Sequence, residues 1–210
     1  MWIIVGLGNP GIEYECTRHN VGREAVMYFR EKHSFPSFVS SSEYSALISE
    51  GEIHGEKVML ILPETFMNAS GKSVKKAVKK LEGTSSIVIY DDVDIGLGNV
   101  KVSFNRGSGG HKGIESIIDV TQNKEFCRIR IGICPIGPSG ELKKPKAGEE
   151  FDNFVLGKWK IYEEETIKEM KALSSEIASE VLSKGVQFAM DKYNTSDYGK
   201  NATKTERSDA

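Results

Sequence analysis

Cysteine is scarce in this chain: of 210 residues only Cys16, Cys127 and Cys134 carry a thiol. An odd count with no close pair excludes a disulfide framework and the spacing of a zinc ribbon or dithiol redox motif, so the three read as reduced, structural thiols. Long apolar runs are missing too, and none approaches the roughly 20 residues that a bilayer span needs. The opening Trp2-Ile3-Ile4-Val5 has no basic stretch before it and no small-residue cleavage site after it, so a cytoplasmic protein is expected. Neither sign of charge dominates: 28 Lys and Arg meet 30 Asp and Glu, a net of −2. That balance argues against a protein that coats nucleic acid, while leaving room for a local basic patch. No internal repeat is present. What is present, 39% hydrophobic residues over this length, suffices for one well-filled core and a single domain.

Element types alternate along the chain. Continuous apolar character predicts buried strands at residues 2–5, 57–62 and 87–90, and alternation predicts half-exposed strands at 44–53, 100–104 and 128–133. Helices are expected near 20–32, 69–81 and 111–120. A longer amphipathic helix follows, on which Ile167, Met170, Leu173, Ile177 and Val181 recur at three- and four-residue steps. The order implies one layered α/β domain over residues 1–194, and the alternating strands suggest that its sheet is mixed. The turn-rich PIGPSGELKKPKAGEE at 135–150 reads as a mobile loop, and the polar, aperiodic residues 195–210 as a disordered tail.

Gly6-Leu7-Gly8-Asn9-Pro10-Gly11 has the G-x-G-x-x-G spacing of a dinucleotide-binding loop. Such a loop needs a helix beginning at its third glycine, and an acid ending a second strand about 20 residues later. Here Asn9-Pro10-Gly11 is a turn, further punctuation precedes any helical pattern, and the region of the second strand reads REKHSF. The glycines are instead expected to let the backbone turn tightly at the carboxyl end of the first strand, where open α/β sheets place their sites. Asn9, Tyr14, Arg18, His19 and Asn20 crowd polar groups there, and two other strand ends add PETFMN (63–68) and YDDVD (90–94). A histidine, a strand-end aspartate and several amides are parts for general-base hydrolysis. None of the four histidines sits in a recognisable metal-ligand pair, so neither a metal nor another cofactor is expected.

With VGLGNPGIEYECTRHNVG, PETFMNASG, YDDVDIGLG, GSGGHKG and FVLGKW in this order and spacing, residues 1–190 resemble bacterial-type peptidyl-tRNA hydrolase. The resemblance implies a monomeric enzyme built as a single three-layer α/β/α domain, with a twisted mixed sheet surrounded by helices and without cofactor or obligate protein partner, that cleaves the ester between a stranded peptide and the 3′ ribose of its tRNA. It also implies roles: His19 as the catalytic histidine, Asp91 as the carboxylate that orients it, and Asn9 and Asn68 as site asparagines. Tyr14, Phe66, Met67, His111 and Lys112 would meet the substrate. One position departs from the commonest pattern, since the residue after His111 is often asparagine and here is Lys112. Lysine keeps donors, loses the acceptor and adds a charge, so that it could meet a tRNA phosphate, discriminate against a free α-ammonium group, or simply point into solvent.

Each residue has a plainer reading. Asp91 and Asp92 could be turn formers, Met67 and Phe66 core, and His111 a cap on its glycine-rich turn. Among the basic residues, Lys101, Arg106 and Lys112 are selected as tRNA-binding because they flank the expected cleft, whereas Lys143, Lys144 and Lys146 are offset by Glu141, Glu149 and Glu150. Two other classes of function compete. A non-catalytic RNA-binding protein would need the basic rim but not His19, Asp91 and Asn68 together; a nucleotide-dependent oxidoreductase would retain a cofactor.

Overall fold

The computed structural model describes residues 1–80 and 85–195, the side chains of 79 and 80 aside. Seven strands form one sheet: β1 (Trp2–Gly6), β2 (Val39–Ser41), β3 (Ala46–Ile53), β4 (Glu56–Pro63), β5 (Ser85–Gly96), β6 (Val100–Phe104) and β7 (Cys127–Cys134), in the order β2-β3-β4-β1-β5-β7-β6. The central β4, β1, β5 and β7 run parallel, and β2, β3 and β6 add antiparallel edges. The sheet is mixed, as the coexistence of continuous and alternating strands implied.

Side-chain alternation along the strands divides the core. On β1, Ile4 faces a cluster with Val26 and Phe29 of α1 (Val21–Lys32), while Ile3 and Val5 face the opposite cluster with Val74 and Ala77 of α2 (Gly71–Lys80) and Ile114 and Ile117 of α3 (Lys112–Thr121). The expected long helix is α5 (Glu164–Lys184). Its buried residues Ile167, Met170, Ile177, Ala178 and Val181 join the first cluster, and α6 (Val186–Tyr193) adds Ala189 and Tyr193. Helices therefore cover both faces of the sheet.

β1 lies between β4 and β5, so the chain moves to one side of β1 and later crosses to the other. This reversal opens a crevice at the carboxyl ends of the central strands. Two glycines let α1 lie close there: a Cβ on Gly6 would come 2.6 Å from the Gly22 carbonyl oxygen, and one on Gly22 would come 2.2 Å from that of Ile89. The opening glycine spacing thus serves helix–strand approach, and α1 starts only at Val21, after a 3-10 turn at Arg18–Asn20.

Three expectations need correction. The strand expected at residues 87–90 extends as β5 to Gly96, so Asp91 and Asp92 pair with Ile131 and Gly132 of β7 rather than ending the strand. Within 135–150, Ile136 and Leu142 form a small antiparallel bridge, and Glu149 already begins a short helix, α4 (Glu149–Val155). The helix expected at 69–81 starts at Gly71, preceded by a 3-10 turn at Met67–Ala69, and its predicted end at 81 lies outside the described residues. So do residues 196–210 of the expected tail.

Candidate active site

Asp91, buried in β5, is the centre of the crevice. His19 Nδ1 lies 2.9 and 3.0 Å from its two carboxylate oxygens, and His111 Nε2 lies 3.0 Å from Oδ1. The tautomer of His111 follows from its other nitrogen. At the N-terminus of α3, Nδ1 accepts from the backbone N–H groups of Gly113 and Ile114 at 3.2 and 3.3 Å, so the ring proton sits on Nε2 and is donated to Asp91. His111 therefore caps its helix and also braces the aspartate. His19 donates from Nδ1, which leaves Nε2 deprotonated in the neutral ring and without a protein partner among the described residues.

Burial works against a charged His19, but the carboxylate of Asp91 outweighs it, so the imidazole is held above its ordinary value of 6.5. More distant Lys112 opposes this shift and Asp152 assists it. Burial would raise the carboxyl of Asp91, yet the two histidines hold it well below the usual carboxylate range. An ionised Asp91 facing two ring N–H groups is the state that the geometry favours.

The turn after β1 carries the next side chain. Asn20 Oδ1 accepts from the Asn9 backbone N–H at 2.8 Å and its Nδ2 donates to the Asn9 carbonyl at 2.9 Å, which locks the turn. Asn9 Oδ1 then accepts from the Met67 backbone N–H at 2.8 Å. Because that partner can only donate, the Asn9 amide orientation is fixed and its Nδ2 donor remains without a protein acceptor among the described residues. Met67 is buried, with a sulfur that would lie 2.5 Å from a Cβ at Gly113. It is core and cleft wall at once. Asn68 and Phe66 are exposed, with Phe66 in edge contact with half-buried Tyr14 at 6.2 Å between centroids.

Hydrogen bonds thus join His19, Asp91 and His111 in one set and Asn9 and Met67 in another, with Asn20, the residue after His19, bonded to Asn9; Asn68, Phe66 and Tyr14 are more exposed. Lys112 is exposed, and its Nζ is 3.3 Å from Oδ1 of Asp152 on α4. Lys101 and Arg106 are also exposed. Lys101 is in register with Arg130, whose Nε donates to Asp92 at 2.8 Å. Arg128, by contrast, is buried. Its two terminal nitrogens donate to the carbonyls of Arg106 and Gly107, bracing the loop before His111. Arg130 and Asp152 went unnoticed in the sequence; a basic residue alternating along a strand and an acid in a charged loop look ordinary there.

His19, Asp91 and His111 bring their ligand atoms within 4.8 Å of one another, the one such trio with metal-binding potential among the described residues. Three of its four ring nitrogens are committed: two N–H groups meet one carboxylate, and the outward nitrogen of His111 is used by α3. A metal would have to displace these bonds. The trio is better suited to holding a proton acceptor than an ion.

A family model described as peptidyl-tRNA hydrolase matches residues 3–203, running past the 1–190 over which the motifs were read. The chain is 38% identical over 196 residues to the peptidyl-tRNA hydrolase of Clostridium tetani, covering 92% of this chain and 97% of that one. It is equally identical over 196 residues to that of a Thermoanaerobacter species, covering 92% and 100%. The fold superposes on the crystal structure of peptidyl-tRNA hydrolase from Acinetobacter baumannii with a TM-score of 0.83 at 29% identity, covering 93% of this chain and 95% of the other.

Proposed function

The chain belongs to the peptidyl-tRNA hydrolase family, and from that membership we propose that it hydrolyses the ester joining a peptide, or an N-blocked aminoacyl group, to the 3′ ribose of tRNA, with His19 as general base and Asp91 as its orienting carboxylate. The observation that carries this reading is the His19–Asp91 hydrogen bond at 2.9 Å, which commits Nδ1 and leaves Nε2 to accept a proton. Water attacks the ester carbonyl as Nε2 takes its proton. The carboxylate of Asp91 stabilises the imidazolium, and the tetrahedral oxyanion draws on amide donors. Asn9 Nδ2 is suited to that task by its fixed orientation, and Asn68 supplies a second amide from the rim. Collapse of the intermediate breaks the ester C–O bond, and the imidazolium returns its proton to the departing 3′ oxygen. The products are a free carboxylic acid and tRNA, and no step requires a cofactor.

Phe66, Tyr14 and Met67 offer an apolar wall to the peptide. Lys101, Arg106 and Lys112 are proposed to meet tRNA phosphates, so that binding is transient and salt-sensitive. We further propose that the protein acts in the cytoplasm as a monomer. Among the described residues no helix is long and apolar enough to cross a membrane. The test is release of an N-blocked aminoacyl group from tRNA by wild type and by folded His19→Ala. Turnover that collapses in the variant supports the reading; tRNA binding without turnover in the wild type would replace it with a non-catalytic RNA-binding role.

A further inference from the structure

FVLGKW, residues 154–159, is the motif to which the proposed reaction assigns no task, and it lies against the turn that carries His19. Thr17 and Lys158 form an antiparallel bridge. Beside it, the Arg18 N–H donates to the Gly157 carbonyl at 3.1 Å and the Trp159 N–H donates to the Cys16 carbonyl at 3.2 Å. Arg18 is buried, and its guanidinium carbon sits 4.8 Å from the ring centroid of Phe154 and 5.0 Å from that of Trp159. Nη1 donates to the carbonyls of Lys158 and Gly157 at 2.9 and 3.3 Å, and Nη2 donates to Glu163 Oε2 at 2.8 Å. Glu163, also buried, accepts from the Lys160 N–H through the same oxygen at 2.8 Å.

A buried ion pair is a poor means of adding stability, because desolvating both charges offsets most of their attraction. What the planar fork does supply is direction: two aromatic contacts and two committed nitrogens fix it against one segment. α4, which carries Phe154, also pairs Asp152 with Lys112, the residue after His111. The Arg18 guanidinium commits its hydrogen bonds to Gly157, Lys158 and Glu163, none to His19 or Asp91. Any influence of Arg18 on His19 therefore runs through position.

We propose that Arg18 is a positioning residue for His19: packed against Phe154 and Trp159 and bonded to Gly157, Lys158 and Glu163, it holds the Arg18–Asn20 turn so that the His19 ring meets Asp91 and keeps Nε2 toward the cleft. This rests on the assignment of His19 as the base. FVLGKW is then the wall against which the catalytic turn is set.

Three variants test it in the full chain, using release of N-blocked aminoacyl groups from tRNA. Arg18→Lys keeps the cation but loses the fork and its contacts with the two rings; Glu163→Gln keeps the shape but loses the charge; Gly157→Ala brings a methyl group 3.3 Å from Nη1. Arg18→Lys is expected to lower kcat about tenfold or more with KM within about twofold, the pattern of a displaced reacting group. It should also move the acidic limb of the kcat/KM profile to lower pH and weaken the His19 Nδ1–H signal in histidine NMR spectra, both marks of a loosened bond to Asp91. Glu163→Gln and Gly157→Ala should show the same changes at smaller amplitude. A lower Tm with wild-type kcat, limb and Nδ1–H signal would overturn the proposal, because a merely structural residue behaves so. If Arg18→Lys does not fold, the other two variants decide by the same criteria. His19→Ala, run alongside, separates the failures: an inactive His19→Ala with unaltered positioning variants rejects only this inference, whereas an active one rejects the base and this inference together.

Discussion

The floor of the cleft and its rim are neighbours in sequence but different in construction. Met67 is buried and Asn68 exposed; His111 bonds to Asp91 and to its own helix, while Lys112 beside it reaches only an exposed aspartate. On the floor Asp91, His111 and the oxygen of Asn9 have fixed partners, while Nε2 of His19 and Nδ2 of Asn9 have none among the described residues because the other end of each group is occupied. At the rim, side chains hold no such geometry. Buried charges are costly to leave unpaired, whereas exposed ion pairs are worth about 0–1 kcal/mol. The floor should therefore carry the chemistry and the rim the adjustable recognition, and substitutions in the two zones should differ in kind as well as in size.

The largest effect is expected on the floor. His19→Ala should lower kcat about 10³-fold, within the range for loss of a general base, with little change in KM. Asp91→Asn should lower kcat about 10²-fold, because an amide can neither hold the tautomer nor stabilise the imidazolium; steady-state kinetics on N-blocked aminoacyl-tRNA check both. His111→Ala removes a helix cap and one of the two donors to Asp91. A loss of about 1 kcal/mol in urea unfolding is expected from the cap alone, together with a lower kcat.

A subtler test concerns stability against pH. The folded-state value of His19 is raised, so its contribution is complete below the unfolded value near 6.5 and fades as pH rises through the folded one. Asp91 is depressed, so its contribution is present above the unfolded value of 3.8 and fades only as pH falls through the folded one. The pair should thus stabilise most between about pH 4 and 6.5. Urea unfolding of wild type and His19→Ala should differ more at pH 5.5 than at pH 9; an equal difference at both would deny the charged pair.

The smallest effect is expected at the rim. Lys112→Asn removes an ion pair whose members are 60% and 53% exposed, so KM for tRNA substrates should change by less than about fivefold, with kcat intact and a shallower salt dependence. A kcat loss as large as that of Asp91→Asn would erase the distinction between floor and rim.

How much of this could be read from the sequence depends on whether the signal is local. β6 was expected at Val100–Phe104 and lies there, because a five-residue alternation between turns has few other solutions. The polar groups after β1 and β4 pointed to the crevice, since parallel strands bring their carboxyl ends to one edge. Asp91 and Asp92 were taken for a strand end because acids are rare inside sheets; only their pairing with β7 and the partners His19, His111 and Arg130 explain them there. α4 escaped notice for a similar reason. Seven residues after a glycine-rich stretch carry little helical signal, and Phe154 is held against Arg18 from 136 positions away. The locked amide of Asn9 was invisible too, as it depends on the backbone N–H of Met67.

The proposed reaction depends on a histidine whose basicity is set by Asp91, and the pH dependence of kcat/KM tests that most directly in wild type and Asp91→Asn side by side. In the wild type the acidic limb should fall above the ordinary histidine value of 6.5, because Asp91 outweighs burial. In Asp91→Asn it should move to lower pH as the residual rate drops. A limb that stays in place in Asp91→Asn, or a wild-type profile without one near histidine, would mean that another group takes the proton.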